Sequence, residues 1–99
     1  MKEYKNEAEF QKEVMKFLKK QGCEVFKMTP GFGIPDGTED ILFLKEGFWG
    51  FIECKMAKDS EHQPGQDKAV ARHSEMSFSC FTWPAIWEKT QKELLEILK

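Results

Sequence analysis

The chain has 99 residues, 40% of them hydrophobic and 32% charged, with a formal charge of −2. That length supports one core and no second domain, and nine Phe, three Trp and one Tyr supply apolar bulk that a disordered chain lacks. No apolar run approaches the roughly 20 residues that span a bilayer, and the Met-Lys-Glu-Tyr start lacks the apolar stretch of a signal peptide, which predicts a soluble, intracellular protein with no membrane partner.

The three cysteines, Cys23, Cys54 and Cys80, are odd in number, widely spaced and set among apolar neighbours. They read as reduced core residues, not as a disulfide framework or a zinc site, and no Cys-x-x-Cys pair supports a small redox domain. A slightly acidic chain does not advertise a nucleic-acid partner, but binding depends on where the lysines sit and on bound cations. Lys5, Lys12, Lys16, Lys19 and Lys20 gather in the first quarter, where they either meet phosphates or solvate a helix.

In chain order, Phe10, Val14, Phe17 and Leu18 recur at helical spacing and predict a helix from about Asn6 to Gln21, with Asn6 as N-cap and Gly22 as stop. The lysines fall on its far face, whereas Glu7 and Gln11 fall inside the apolar stripe. Residues Cys23 to Met28 read as a short strand, and "TPGFGIPDGT" as a loop punctuated by Gly and Pro. "DILFL" and "FWGFIECK" are two strands joined through Lys45, Glu46 and Gly47, followed by a polar loop. A helical pattern returns from about Pro64 to Glu75, with Gln66, Ala69, Val70 and His73 on one face. "MSFSCFTW" is a last strand, and "PAIWEKTQKELLEILK" a closing helix with Pro84 near its first turn. The predicted order is α-β-β-β-α-β-α in a single α/β domain spanning residues 1–99.

If Glu46 and Gly47 form the hairpin turn, Lys45 lies opposite Phe48, and the same register places Asp40 across from Glu53. Opposed side chains share a face, about 4.5–5.5 Å apart at Cβ. Alternation adds Lys55 to that face. A Glu-x-Lys pair on a strand is commonplace by itself, but like charges directly opposed are unfavourable unless something neutralises them. Carboxylate oxygens suit a hard cation, Mg²⁺ or Mn²⁺, beside which Lys55 would orient or deprotonate a water attacking a phosphodiester.

The segments "NEAEFQKEVMKFLKKQG", "GIPDGTEDILFL", "GFIECK" and "PGQ", in this order, resemble the VRR-NUC domains of the PD-(D/E)xK nuclease superfamily, over about Glu7 to the closing helix. The resemblance implies a restriction-endonuclease-like core, a mixed sheet flanked by helices, and a DNA endonuclease dependent on Mg²⁺ or Mn²⁺. Standalone phage and bacterial domains of this kind resemble homodimeric enzymes that cut branched DNA such as Holliday junctions. A cytoplasmic homodimer acting on branched DNA is therefore implied, and two-fold pairing would also gather the few lysines of an acidic chain.

By the same resemblance Asp40 and Glu53 bind the metal, the backbone carbonyl of Cys54 is a further ligand, and Lys55 positions the water. Glu7 matches the first-helix glutamate that reaches the metal directly or through water, which accounts for an acid inside an apolar stripe. Gln66 matches a glutamine that hydrogen-bonds the lysine or the water, with a capping or solvent role as its other reading. In many relatives the aspartate of Pro-Asp itself enters the strand; here Gly37-Thr38-Glu39-Asp40 intervene after Pro35-Asp36. Asp36 and Asp40 are thus both candidates, and the register favours Asp40, with Asp36-Gly37 as a turn.

His62 and His73 are not spaced as a metal pair and are expected to make local hydrogen bonds. Trp49, Trp83 and Trp87 are expected in the core or a dimer interface. The other functions in view are an inert DNA-binding or interaction module of the same fold, and a nuclease specific for flaps or ends.

Overall fold

Asn6 opens the first helix from extended backbone, its side chain accepting a 2.9 Å hydrogen bond from the Glu9 N–H, so an N–H that the first turn cannot satisfy internally is capped. In this computed structural model, which describes residues 3–29, 31 and 33–99, that helix is α1, Glu7–Lys20. Then follow β1 (Glu24–Lys27), β2 (Ile41–Lys45), β3 (Phe48–Cys54), α2 (Gln66–Met76), β4 (Phe78–Thr82) and α3 (Trp87–Ile97). The α-β-β-β-α-β-α order is as expected. One difference lies at Pro84, which opens a 3₁₀ turn, Pro84–Ile86, ahead of α3. The predicted loop before β2 includes Pro30 and Phe32, which lie outside the described residues.

The four strands form one mixed sheet in the order β1-β2-β3-β4, antiparallel except for β4, which runs parallel to β3. A parallel neighbour needs a crossover, and α2 is the crossover helix. In the β2–β3 hairpin Lys45 pairs with Phe48 and Ile41 with Ile52, the register counted from a Glu46-Gly47 turn.

The two faces of the sheet differ in kind. On one, Ile41, Phe43, Ile52 and Cys54 pack with Phe10, Val14 and Leu18 of α1 and with Trp87, Leu94 and Leu98 of the α3 segment. Trp87 stands edge-on to both Phe10 and Phe17, ring centroids 5.9 and 5.3 Å away. Each such side chain removed from water contributes about 1.5–3 kcal/mol, so this layer dominates stability. On the other face lies α2, its His73 stacked on Phe51 at 4.5 Å. There the buried residues include Glu39, Glu53, Lys55, Gln66 and Ser79.

Cys23 and Cys54 are buried, Cys80 is half-buried, and all three are free thiols, with burial raising the pKa of each. Trp87 is a core residue, whereas Trp49 and Trp83 are half-buried. Among the described residues no helix is long and apolar enough to cross a membrane.

Gly50 shows how tightly the apolar layer closes on β3. A Cβ at this position would lie 2.5 Å from the ring of its cross-strand partner Phe43. Gly50→Ala is expected to lower stability by about 1–3 kcal/mol through overpacking, read as a shifted urea midpoint; an unchanged midpoint would contradict this packing.

Candidate metal centre

Past the Ile41–Ile52 pair, side chains take over from the backbone ladder. The Asp40 N–H donates to Glu53 Oε1 at 3.1 Å, and the Cys54 N–H donates to Asp40 Oδ2 at 3.0 Å. Each carboxylate thus accepts a main-chain donor from the other's strand, and the Met28 N–H, donating to the Asp40 carbonyl at 2.7 Å, fixes Asp40 from the β1 side. Asp40 and Glu53 stand opposite each other as the register requires.

Glu7, in the first turn of α1, completes the group: one oxygen from each of Glu7, Asp40 and Glu53 lies within 4.8 Å of the others. The positive end of the α1 dipole faces this negative charge. Lys55 follows on the same face and is 5% exposed. Its Nζ donates to Gln66 Oε1 at 2.7 Å and to the Glu61 carbonyl at 3.0 Å, and lies 3.5 Å from Glu53 Oε2. Nζ thus makes two hydrogen bonds and one longer ion pair, which leaves the third N–H of an ammonium for a ligand in the cavity.

Gln66, the first residue of α2, is the hub of the wall. Its Nε2 donates to Glu53 Oε2 at 2.9 Å, while its Oε1 accepts from both Lys55 and the Gln63 N–H. The hydrogen bond to Lys55 is thus present, whereas the side chain caps no N–H of α2, whose N-cap is Gly65 without a side-chain bond, and it accepts from the turn before the helix instead. Carboxylate crowding carries an electrostatic cost. Burial, and next the Asp40 charge, push the Glu53 carboxyl up to about 8 against the opposing pull of Lys55. Glu7 is raised too, by partial burial first and by Asp40 second.

These side chains line a cavity of about 570 Å³; among the described residues its lining includes the acids Glu7, Asp36, Asp40, Glu53 and Glu61 and one base, Lys55. Asp36 is exposed and sits on the rim, in the turn closed by the Thr38 N–H to the Pro35 carbonyl at 3.2 Å. It is outside the three-oxygen cluster, where Asp40 lies. Gly37 of that turn has φ +86° and meets the Pro64–Gly65 loop backbone to backbone: a Cβ would fall 2.6 Å from the Gly65 carbonyl carbon. The two loops that frame the cavity can touch only because Gly37 has no side chain.

The donor set fits a hard divalent cation. All three side chains offer oxygen, the number and type that Mg²⁺ or Mn²⁺ accepts alongside retained water. The Cys54 thiol, by contrast, lies in the apolar core with its pKa raised by burial and so offers no thiolate, leaving only its backbone carbonyl as a possible ligand.

The histidines divide. His62 makes the expected local contact, Nδ1 to Asp67 Oδ1 at 2.7 Å, and stacks on Phe81. His73 does not: its Nδ1 lies 2.9 and 2.8 Å from the two carboxylate oxygens of Glu39, 34 residues away, and Ser79 Oγ donates to Glu39 Oε2 at 2.5 Å. Sequence reasoning passed over Glu39. Two signals marked it: consecutive acids before a buried strand, and a histidine on the inward face of α2 that requires a polar partner.

Comparison with protein-family models gives no match, and comparisons with curated proteins and with solved structures give none either. The chemistry of the site therefore rests on its own residues.

Glu53 binds its proton more tightly in the folded chain than its ordinary value of 4.5, at about 8. Between these limits the folded state holds more protons than the unfolded one, so metal-free stability falls as pH rises from about 4.5 to about 8. Glu53→Gln is expected to flatten that slope, measured by urea unfolding across the range. A variant with the wild-type slope would contradict the assignment.

Proposed function

We propose that the protein is a divalent-metal-dependent DNA endonuclease in which Glu7, Asp40 and Glu53 hold Mg²⁺ or Mn²⁺, with the Cys54 carbonyl as a further ligand. The observation that carries this reading is the convergence of three carboxylates within 4.8 Å beside a buried lysine and its glutamine. A merely solvated hairpin end gains nothing from opposed carboxylates, one of which is 1% exposed.

When bound, the cation supplies Lewis-acid stabilisation of charge on the phosphate and a more acidic water. The chain's own residues do the rest. Lys55 holds a fixed positive charge on the cavity wall and orients the attacking water. Gln66 and the Glu61 carbonyl keep that ammonium in place, and the glutamine amide ties it to Glu53. Even with Glu53 protonated in the metal-free site, the acids among the described lining residues outnumber the one lysine and repel a phosphodiester, so substrate enters this cavity only once positive charge is added. DNA binding at the site is therefore contingent on the cation.

Branched DNA as the substrate, a cytoplasmic setting and a homodimer follow from the resemblance to standalone VRR-NUC domains. Lys5, Lys12, Lys16, Lys19 and Lys20 are all exposed along and just before α1, where they can meet phosphates outside the cavity. Paired cuts on a junction ask for two sites, which a two-fold dimer provides.

The test is cleavage of a labelled four-way junction, a linear duplex and a 5′ flap, with Mg²⁺, Mn²⁺ or EDTA. Paired metal-dependent nicks on the junction are expected, with Lys55→Ala slower by about 10²–10³-fold, the usual loss on removing one charged positioning donor. Cutting confined to flaps or ends would keep the nuclease and remove the junction. Folded protein that binds DNA and cuts nothing with either metal would overturn the enzyme in favour of a binding module.

A further inference from the structure

Glu39 has no part in the chemistry above, yet it is 0% exposed and carries a buried carboxylate. Its oxygens are shared between His73 of α2 and Ser79 of β4. Burying such a group costs free energy that an apolar residue of the same size would avoid, and the return on a satisfied buried network is a single fixed arrangement. What is fixed here is the residue next in the chain, Asp40.

The open end of β2 needs such a fixture. Its ladder begins only at Ile41, after a loop rich in Gly and Pro. An unanchored strand end frays, and a carboxylate on it samples several directions. In this structure the 39–40 peptide is held on every side. The Glu39 carboxylate is tied to a helix and a strand on the α2 face, the Asp40 N–H to Glu53, and the Asp40 carbonyl to Met28. His73 is itself steadied by its stack on Phe51 and its edge contact with Trp49.

We propose that Glu39, His73 and Ser79 are positioning residues for Asp40, a buried polar lock that fixes the start of β2 and so aims the Asp40 carboxylate at Glu53 and Glu7. Its bearing on catalysis rests on the cation reading given above; the positioning itself does not.

The test uses a triple variant, Glu39→Leu with His73→Phe and Ser79→Ala, which replaces the whole network by apolar groups and leaves no partner stranded, a change that is often near neutral for stability. Glu39→Gln is the conservative control that retains hydrogen bonding to both partners. Amide hydrogen exchange is followed by NMR on metal-free protein, with Ile52 as internal reference. In the triple variant the Asp40 and Cys54 amides are expected to exchange about tenfold faster relative to Ile52, a local opening without global loss. Mn²⁺ affinity measured by calorimetry is expected to fall about 10–100-fold, the usual effect of losing a support behind a ligand, while Glu39→Gln stays near wild type in both.

If the triple variant does not fold, His73→Phe, which keeps the stacked ring, is compared with His73→Asn, which keeps a donor near the Nδ1 position. Only the former is then expected to loosen the two amides. Folded variants with wild-type exchange at Asp40 and Cys54 would overturn the proposal. A wild-type protein that binds no Mn²⁺ would remove the cation reading alone, and the exchange result would still decide the positioning.

Discussion

Two opposed carboxylates, each accepting a backbone N–H from the facing strand, set the terms for this molecule. Asp40 and Glu53 stand opposed at the end of a hairpin, each bound to a main-chain donor of the facing strand. Their repulsion is part of what drives Glu53 toward its protonated form, second only to burial. Such an arrangement depends on register, because a slip of one residue would turn Glu53 into the apolar layer and Ile52 out of it. The short turn at Glu46 and Gly47, and the interlock of Phe43 with Gly50, hold that register.

The sheet then separates two tasks. Its α1 and α3 face is an apolar layer, closed around Phe10, Trp87 and Leu94, whose burial provides most of the folding free energy. Its α2 face carries hydrogen-bonded polar groups, which contribute little net stability but specify geometry. Glu7 joins the site from α1, whose first turn reaches the cavity. On this face the buried charges are tolerated because they find partners: Lys55 is ringed by Glu53, Glu61 and Gln66, and Glu39 by His73 and Ser79.

Much of this was legible before any coordinates. Hairpin pairing is local, so counting outward from a two-residue turn was enough to oppose Asp40 to Glu53 and to bring in Lys55. The same count separated Asp40 from Asp36, whose turn lies on the rim. Glu7 stood out as an acid within an apolar stripe, and its approach to the hairpin needed the resemblance as well, since α1 and the strands meet only through tertiary packing. The contact between Glu39 and His73 escaped notice because it spans 34 residues and no local periodicity encodes it. Glu39 also breaks simple alternation: the chain bends at Asp40, so two consecutive acids both reach the α2 side of the sheet. The 3₁₀ turn at Pro84 was hidden for a related reason, since proline favours the start of either helix type.

The central claim is that Glu7, Asp40 and Glu53 form one cation site. Its most direct test is a crystal grown with Mn²⁺ and measured at the manganese absorption edge, where the ion's anomalous signal reveals its position without reference to the chain. An anomalous peak bonded to Asp40 and Glu53, with Glu7 on it directly or through water, is the expected result. A folded protein whose only manganese sits on exposed acids such as Asp59 or Glu75, with none between Asp40 and Glu53, would contradict the account.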